Sequence, residues 1–589
     1  MDPEKSDIFP SFQRDRQFVL EDYIVFGSML LISTLIGIFF AIKDRMATGA
    51  QIFFTANGKL GVVPVALSML ASFLSSITLI GQPAEAFLFG SQLWYFGISA
   101  IVVIPVVGYV FVPFFQNKKY LSAYEYFGER FSKNLQFIST LLFTVQMILY
   151  LALVLYAPAL AIHQVTGVNT MLIVSITYLV CIVYTTIGGM KAVVWTDTFQ
   201  VVVLYVALFV ILIKGTLDIG GFSKVWQTNA MYNRTSFFNW NLDPTVRYST
   251  WSAFVGSAFL HISFYGGNQL QIQRYLTVST SQQARKMLWI NTVGWTIVVL
   301  LTVYAGLLVF AFYATCDPFK SNKVSTADEL FPLYVMETFH RFPGFPGLFL
   351  AGVFSAGLST VSAGVNSLAA MWLDEIRRFS VTNEVWDKKS GIIAKFLSFF
   401  FGVLSFLLVF LVPYLGGLAP VAISLSGIFT GSLFGVFCLG MFIPKVNNAG
   451  ATSGLLCSIA ILMWMATGSI IFSSSTNDSY ALLEIPVTGC SNYTMPPPYL
   501  QNDLISKHNK EFSFYQISFL WYPMLACSLT VVIGIVVSII TKSSSRGDDH
   551  QSLSKRGNND KQLKTRINYL KSNDTEKLSF EPFLHRTEN

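Results

Sequence analysis

Residues 354–371 read F-S-A-G-L-S-T-V-S-A-G-V-N-S-L-A-A-M, an apolar run that can cross a bilayer together with its flanks. Polar side chains recur in this run at helical spacing, and a helix places them on one face: Ser355, Ser359, Ser362 and Asn366. Such oxygens are hard ligands that suit a weakly held cation. The alternative interpretation is that the hydroxyls bond their own helix, while glycine and alanine permit close helix packing.

The composition indicates a membrane protein. Of the 589 residues, 53% are hydrophobic and 12% are charged, whereas a soluble domain carries about 25% charge. The mean hydropathy is +0.55. The sequence predicts an all-α polytopic membrane protein with thirteen transmembrane segments. They are Tyr23–Ile42, Val62–Gly81, Leu93–Phe114, Leu135–Ile162, Met171–Ile187, Phe199–Ile213, Trp251–Tyr265, Leu288–Tyr313, Gly347–Met371, Ile392–Val412, Val421–Phe442, Thr452–Phe472 and Phe519–Ile540.

Lysine and arginine concentrate in alternate loops, which predicts an extracellular N-terminus and a cytoplasmic C-terminus. The inner loops then include the one after segment seven, with Arg274. Three glycosylation sequons agree with this orientation, because all fall in loops predicted to be outside: Asn233, Asn477 and Asn492. The net charge of +7 follows from the basic inner loops and tail, so we infer no nucleic-acid partner. Cys316 and Cys490 both lie in outer loops, where a disulfide between them is a hypothesis.

These patterns divide the chain into an extracellular N-terminus (1–22), a transmembrane domain (23–540) and a polar tail (541–589). The tail is rich in Ser, Asn, Asp, Lys and Arg, and we expect it to be disordered in the cytoplasm. Intramembrane enzyme chemistry is not expected. The segments contain no paired aspartates, no H-E-x-x-H motif and no Ser-His pair, and no soluble ATP-binding domain is present.

A second hydroxyl-rich segment reads A-S-F-L-S-S-I-T-L-I-G-Q-P-A-E over residues 71–85. We expect Gly81, Gln82 and Pro83 to break this helix, because proline lacks the amide proton that a helix requires. Freed carbonyls at bilayer depth must face protein, water or an ion. Together, the two segments predict a Na+ site made of the Ser76, Leu79 and Ala356 carbonyls and the Ser359 and Thr360 hydroxyls. The absence of formal charge argues against Ca²⁺ or Zn²⁺.

Three further segments carry polar features at membrane depth. Tyr150 lies well inside segment four, where its hydroxyl could donate to a solute, although tyrosines also anchor helices at the interface. Asp197 lies just before segment six, on its inner side, where either the helix dipole or a departing cation would favour a carboxylate. Gly266-Gly267 interrupts segment seven, and corresponding interruptions in two halves of a chain point to a transporter site. The segments contain no basic side chain expected to neutralise a carboxylate.

Several stretches in combination resemble the sodium:solute symporters, solute carrier family 5, and most closely the monocarboxylate, multivitamin and iodide branch. They are A-S-F-L-S-S-I-T-L-I-G-Q-P-A-E (71–85), Y-A-P-A-L-A-I-H-Q-V-T-G (156–167), G-G-M-K-A-V-V-W-T-D (188–197), Y-G-G-N-Q-L-Q-I-Q-R-Y (265–275), Cys316-Asp317-Pro318 and P-G-F-P-G-L-F-L-A-G-V-F-S-A-G-L-S-T (343–360). The resemblance implies a LeuT-like fold with two inverted five-helix repeats, about 62–213 and 251–442.

The resemblance also implies functional roles. It implies the same Na+ ligands, and the choice of carbonyls above draws on it. It places Asp197 on the cation pathway and places Thr78 and Tyr150 near the solute or a second ion. We also predict that Gly266, at the interruption, and Ser424, in segment eleven, bind the solute. Relatives often read F-G-M-x-G-G-P in segment eleven, whereas this chain has S-L-S-G-I-F-T-G-S (424–432).

The function that the resemblance implies is Na+-coupled import of a small organic anion across the plasma membrane by alternating access. The anion would be a monocarboxylate or a vitamin such as pantothenate or biotin. The alternatives are Na+-coupled transport of iodide or a sugar, and a non-transporting solute sensor on the same scaffold.

Overall fold

The structure, a computed structural model, describes residues 18–43, 50–321, 323–339, 341–378, 383–414, 418–476, 483 and 514–541. Throughout these residues the regular secondary structure is helical. The helices are α1 (Leu20–Lys43), α2 (Ala50–Thr55), α3 (Val62–Phe73), α4 (Ser76–Phe89), α5 (Tyr95–Val106), α6 (Val112–Lys118), α7 (Glu125–Arg130), α8 (Lys133–Thr166), α9 (Thr170–Ile219), α10 (Phe222–Met231), α11 (Ser257–Gly267), α12 (Gln269–Tyr275), α13 (Ser281–Phe312), α14 (Leu330–Phe339), α15 (Phe345–Arg377), α16 (Asn383–Leu408), α17 (Leu418–Phe442), α18 (Asn448–Thr476) and α19 (Tyr522–Thr541).

Ten helices in the described part of the chain are long and apolar enough to span a membrane. The pair α3 and α4, bent by 57°, makes an eleventh span. The difference from thirteen has two sources. The 50-residue α9 carries two predicted segments, and the seventh segment is divided among short helices. The number thirteen therefore stays a prediction, while the polytopic all-α architecture is confirmed.

The long helix α9 turns at Gly189, whose φ of 60° lies in the left-handed region that favours glycine. At 1.5 Å per residue, 50 residues extend about 75 Å, more than twice the roughly 30 Å hydrocarbon core of a bilayer. A single straight span is therefore excluded. Phe53 packs against the turn, so a side chain at position 189 would also collide with that ring.

Polar caps define where several long helices begin. The Ser132 hydroxyl accepts from the Leu135 amide at the start of α8, and the Asn169 side chain accepts from Met171 at the start of α9. Thr280 caps α13 in the same way. These side chains satisfy amides that a helix N-terminus leaves without an intrahelical partner.

The helix α15 is the buried centre of the molecule. In its most apolar window 94% of the residues are buried, against 22% for α1 and 28% for α19. The peripheral helices instead expose large apolar side chains such as Leu31, Leu179 and Ile539, as a lipid-facing surface requires. The serine stripe of α15, formed by Ser355, Ser359 and Ser362, is thus fully buried in protein.

Two predictions about helix interruptions have different outcomes. The predicted second segment breaks between α3 and α4, at Leu74 and Ser75. Gly81, Gln82 and Pro83 lie inside α4, so the predicted position of the break was wrong. The second break follows Gly266-Gly267 as expected, at Asn268, whose backbone is extended (φ −92°, ψ 133°). The Asn268 side chain then accepts from the Leu270 amide and starts α12.

Candidate functional site

The break between α3 and α4 brings unpaired backbone to the centre of the protein. The Ser75 backbone is extended, and its hydroxyl accepts from the Thr78 amide at 3.3 Å to restart the helix. The last carbonyls of α3 then lack following helical amides. One of them, the Ser72 carbonyl, accepts instead from the Thr360 hydroxyl of α15 at 3.4 Å.

The hydroxyls of α15 face this break, as the sequence predicted. Ser359 Oγ lies 3.5 Å from Ser72 Oγ, and Thr360 also donates to the Ala356 carbonyl at 2.9 Å. The side chains of Ser359 and Thr360 are fully buried. Among the described residues no group of three or more His, Cys, Asp or Glu side chains could hold a metal. The oxygens here are neutral, which suits an alkali cation.

Two prolines each leave one further backbone carbonyl without its helical hydrogen bond. Pro83, inside α4, has no amide proton for the carbonyl four residues earlier, which belongs to Leu79. Pro158 has the same effect on the Val154 carbonyl in α8, and Ser76 donates its hydroxyl to that carbonyl. Ser76 thus ties α4 to α8, and its own backbone carbonyl is the atom that the sequence assigned to Na+.

A buried charge pair lies next to the hydroxyls. Asp197 accepts from Ser68 Oγ at 2.6 Å and lies 3.5 Å from the Arg274 guanidinium. Arg274 also donates to the Ser72 hydroxyl, so one continuous network joins Asp197 to Ser72 and onward to Ser359. Asp197 and Arg274 are 0% and 1% exposed.

The Arg274 position corrects two predictions. The positive-inside pattern assigned Arg274 to an inner loop, and the segments were expected to lack a buried basic side chain. It lies in α12, the short helix that begins after the break at Asn268, and its side chain is buried. Its partner Asp197 makes the burial tolerable, since an unpaired charge there would be costly. Asp197 itself lies eight residues beyond the turn at Gly189 and inside α9.

An open cavity adjoins this network, and the space between its lining residues, open solvent included, is about 820 Å³. Polar residues line one part of it: Ser72, Ser75, Thr78, Gln82, Gln146, Tyr150, Gln271 and Ser426. The rest of the lining is apolar: Phe73, Ile77, Phe96, Met147, Leu260, Phe264, Leu270, Trp295, Ala422 and Ile423. The lining contains no charged side chain, and Ser72 belongs both to it and to the hydroxyl network.

Several polar groups of the cavity are oriented by their neighbours. The Gln82 carbonyl oxygen accepts from Thr302 at 2.7 Å, which leaves the amide nitrogen as the end available to a solute. The Tyr150 hydroxyl lies beside the Ser75 side chain. Gln146 and Gln271 are 1% and 2% exposed, and their carbonyl oxygens have no partner in the described part of the protein.

The predicted solute residues divide into two groups. Thr78 and Tyr150 line the cavity, whereas Gly266 and Ser424 are outside its lining. Gly266 packs against Phe111 and Phe434, and Ser424 lies on α17 two residues before Ser426. Sequence reasoning missed Gln82, Gln146 and Ser426 as cavity residues, although a polar side chain inside an apolar segment was a signal that could have found them.

The predicted surface features are only partly within the described residues. Asn233 is exposed in a turn after α10, with φ of 56°. Asn477 and Asn492 lie outside the described residues, as do Cys490 and the tail (542–589). Cys316 is disulfide-bonded, and its pairing with Cys490 stays a prediction.

Paired broken helices around a neutral oxygen cluster and a solute-sized cavity define an ion-coupled secondary transporter. The chain belongs to the sodium:solute symporter family, whose sequence profile matches residues 53–458. It is therefore a sodium-coupled solute importer, and Na+ is the ion it carries. Relatives that match it over most of its length are also transporters.

Two relatives indicate the branch. The chain is 36% identical to human sodium-coupled monocarboxylate transporter 2 over 91% of this chain and 86% of that protein. It is 34% identical to sodium-coupled monocarboxylate transporter 1 of Xenopus laevis, covering 89% and 86% of the two chains. A Na+-coupled sialic acid symporter, solved substrate-bound and outward-open, superposes with a TM-score of 0.71 at 22% identity, covering 89% and 98%. This similarity shows the shared LeuT-like fold.

Proposed function

We propose that the protein imports a small monocarboxylate anion together with Na+ across the plasma membrane by alternating access. The names of its relatives suggest the solute class, and the cavity is chemically suited to it. A short carboxylate has an anionic head that accepts hydrogen bonds and an apolar body. The cavity likewise combines neutral donors with an apolar wall that includes Phe96, Phe264 and Trp295.

The observation that carries this proposal is the double role of Ser72. Its side chain lines the solute cavity, and its hydroxyl and carbonyl contact Ser359 and Thr360. A cation bound at those hydroxyls would lie within a few atoms of the solute and would offset the carboxylate charge. Because each charge favours binding of the other, Na+ and the anion bind cooperatively.

The site residues follow from this arrangement. Na+ is bound by the carbonyls of Ser76, Leu79 and Ala356 and by the hydroxyls of Ser359 and Thr360. The cation leaves past Asp197, which is linked to the same hydroxyls. The solute carboxylate is bound by Thr78, Gln82 and Tyr150. Gly266 and Ser424 act indirectly, through Phe434 and the α17 wall.

The remaining assignments are part of the same proposal. The N-terminus is extracellular, the C-terminus is cytoplasmic, and Asn233, Asn477 and Asn492 carry glycans. The transmembrane domain spans 23–540, with repeats at about 62–213 and 251–442. Both broken helices begin a repeat, which supports that division, and the exposure of Asn233 supports its glycosylation.

The experiment is uptake of labelled solutes by cells expressing the protein, in sodium medium and in choline medium. We expect sodium-dependent accumulation of lactate or pyruvate, with little transport of glucose or iodide. Pantothenate and biotin test the vitamin alternative. Sodium-dependent accumulation of only a sugar or iodide would overturn the assigned solute class. Sodium-dependent currents without accumulation of any solute would indicate a sensor.

A further inference from the structure

One face of α4 leads from the solute cavity to the end of the helix at Phe89. Thr78, Gln82, Glu85 and Phe89 follow at spacings of four, three and four residues, so they form a single column on the helix. Thr78 and Gln82 line the cavity, and Glu85 and Phe89 stand beyond it by one and two turns. What covers Glu85 therefore covers that end of the cavity.

A loop arginine pairs with Glu85 through two hydrogen bonds. Arg247 donates Nε and Nη2 to the two carboxylate oxygens at 3.1 and 2.6 Å, and the Tyr248 hydroxyl donates to the same carboxylate at 2.6 Å. The guanidinium also lies over the rings of Phe89 and Phe519, 4.6 and 5.0 Å from their centroids. The two charged side chains are only 11% and 13% exposed. Paired, shielded charges of this kind are strongly held.

The loop that carries Arg247 is attached to a different part of the molecule. Ser518, just before α19, donates its hydroxyl to the Arg247 carbonyl at 2.8 Å and its amide to the Pro244 carbonyl at 3.0 Å. The ion pair therefore connects α4, which follows the break beside Ser72, to the loop and the final helix. If the cavity opens at this end, α4 and the loop must separate, and the Glu85–Arg247 ion pair must break.

We propose that Glu85 and Arg247, with Tyr248, form the extracellular gate of the solute cavity. The side assignment rests on the orientation proposed above. In the closed state the pair covers the outer end of the cavity. Opening breaks the two guanidinium hydrogen bonds and exposes Thr78 and Gln82 to the outside. Removing one partner leaves the other as an unpaired shielded charge, which disfavours the closed state.

Side-specific accessibility of the cavity tests this gate. Leu260→Cys places a reporter thiol in the cavity lining, and a membrane-impermeant thiol reagent is applied to intact cells and, separately, to inside-out vesicles. In sodium-free medium we expect Glu85→Gln and Arg247→Gln each to accelerate labelling from the extracellular side about tenfold, equivalent to about 1.4 kcal/mol. The charge exchange Glu85→Arg with Arg247→Glu should restore the slow rate.

The controls separate a gate from a general structural contact. Lys214→Gln removes an exposed ion pair with Asp218 near the end of α9 and should leave labelling unchanged. The same variants without the reporter cysteine give the background reaction, and surface biotinylation normalises for expression. Equal labelling rates in Arg247→Gln and the parent protein would overturn the proposal, as would acceleration from both sides. Faster labelling from the cytoplasmic side alone, without a glycan at Asn233, would contradict the orientation instead.

Discussion

Ser72 is the residue at which the hydroxyls of α15 meet the lining of the cavity. Its carbonyl accepts from Thr360, its hydroxyl contacts Ser359 and accepts from Arg274, and its side chain borders the solute cavity. The helical spacing of serines and threonines in the sequence identified both surfaces that meet here. It could not identify Ser72 as the link, because that role depends on where the helix breaks.

The sequence misplaced the break for a reason that the structure explains. Proline and glycine at 81–83 are strong helix breakers in general, yet α4 accommodates Pro83 and leaves only the Leu79 carbonyl without an amide. The actual break at Leu74 and Ser75 contains neither residue. It depends on tertiary partners, chiefly the Thr360 hydroxyl, which a local pattern does not contain.

The first prediction concerns the Thr360 hydroxyl. Thr360→Ala should raise the Na+ concentration for half-maximal uptake about tenfold, which corresponds to the loss of about 1.4 kcal/mol of Na+ binding. The measurement is uptake against external Na+ concentration. Thr360→Ser keeps the hydroxyl and should remain close to the parent. Thr196→Ala removes a buried hydroxyl that donates to the Ala192 and Val193 carbonyls of its own helix, and it serves as the matched control.

The second prediction concerns Gln82 in the cavity. Gln82→Leu keeps the apolar bulk and removes the amide nitrogen, so the solute KM should rise by about tenfold, as for one lost hydrogen bond to an anion. Thr302→Val releases the Gln82 carbonyl and should give a smaller increase. Solute saturation curves at fixed Na+ measure both. An unchanged solute KM in Gln82→Leu would show that Gln82 does not bind the solute.

At the scale of helices, α15 is positioned by a contact with α1. Asp22, 2% exposed, accepts from the Gly344 and Gly347 amides at 2.9 and 3.1 Å at the beginning of α15. A carboxylate at a helix N-terminus satisfies free amides and complements the helix dipole. The sequence did not indicate this cap, because the two helices are separated by more than 300 residues and only the fold brings them together.

The third prediction tests that cap. Asp22→Ala should lower the free energy of unfolding by about 1–2 kcal/mol, the usual cost of a lost cap. It should be seen as a lower midpoint of thermal unfolding in detergent. The exposed neighbour Glu21→Ala is the control and should leave the midpoint unchanged. If both variants unfold at the parent temperature, the capping contact does not stabilise α15.

The short helix α7 allows a pH prediction. Burial raises the pKa of Glu125 to about 7, and the nearby charge of Asp374 adds to the effect. A raised carboxyl pKa contributes stability that is complete below the unfolded value and lost as the pH rises through 7. Glu125→Gln should therefore raise the unfolding midpoint relative to the parent at pH 8 and have little effect near pH 4.5.

Glu129 in the same helix provides the comparison of opposite sign. A hydrogen bond from Tyr120 and one from Lys118 lower its pKa, so its ionised form stabilises the fold at neutral and higher pH. Glu129→Gln should lower the unfolding midpoint at pH 8. The measurement is the thermal unfolding midpoint of Glu125→Gln and of Glu129→Gln at both pH values. If the two variants shift the midpoint in the same direction at pH 8, the opposite pKa shifts of the two carboxyls are contradicted.

At the scale of the whole molecule, the cavity lies between two ion pairs. Glu85 with Arg247 lies beyond one end, and Asp197 with Arg274 lies beside the hydroxyls of Ser72 and Ser359. The LeuT-like architecture was implied by the resemblance of several sequence stretches to the sodium:solute symporters, which can be recognised without tertiary information. The sequence did not predict the charge pairs, because each joins residues on separate elements whose contact depends on the folded arrangement.

The energetics limit what this molecule can accumulate. A tenfold Na+ gradient supplies about 1.4 kcal/mol, and one charge crossing 100 mV adds about 2.3 kcal/mol. One Na+ with a monovalent anion is electroneutral and uses only the chemical gradient. Use of the membrane potential requires a second Na+. Dependence of uptake on voltage would therefore report the stoichiometry.

The most direct test of the account measures the two fluxes together in proteoliposomes containing the purified protein. With an inward Na+ gradient, labelled monocarboxylate and ²²Na+ should enter in a fixed ratio, each flux should require the other substrate, and Thr360→Ala should reduce both at low Na+. Monocarboxylate entry at the same rate with choline in place of Na+, or Na+ entry that ignores the solute, would contradict coupling through the shared Ser72 contact.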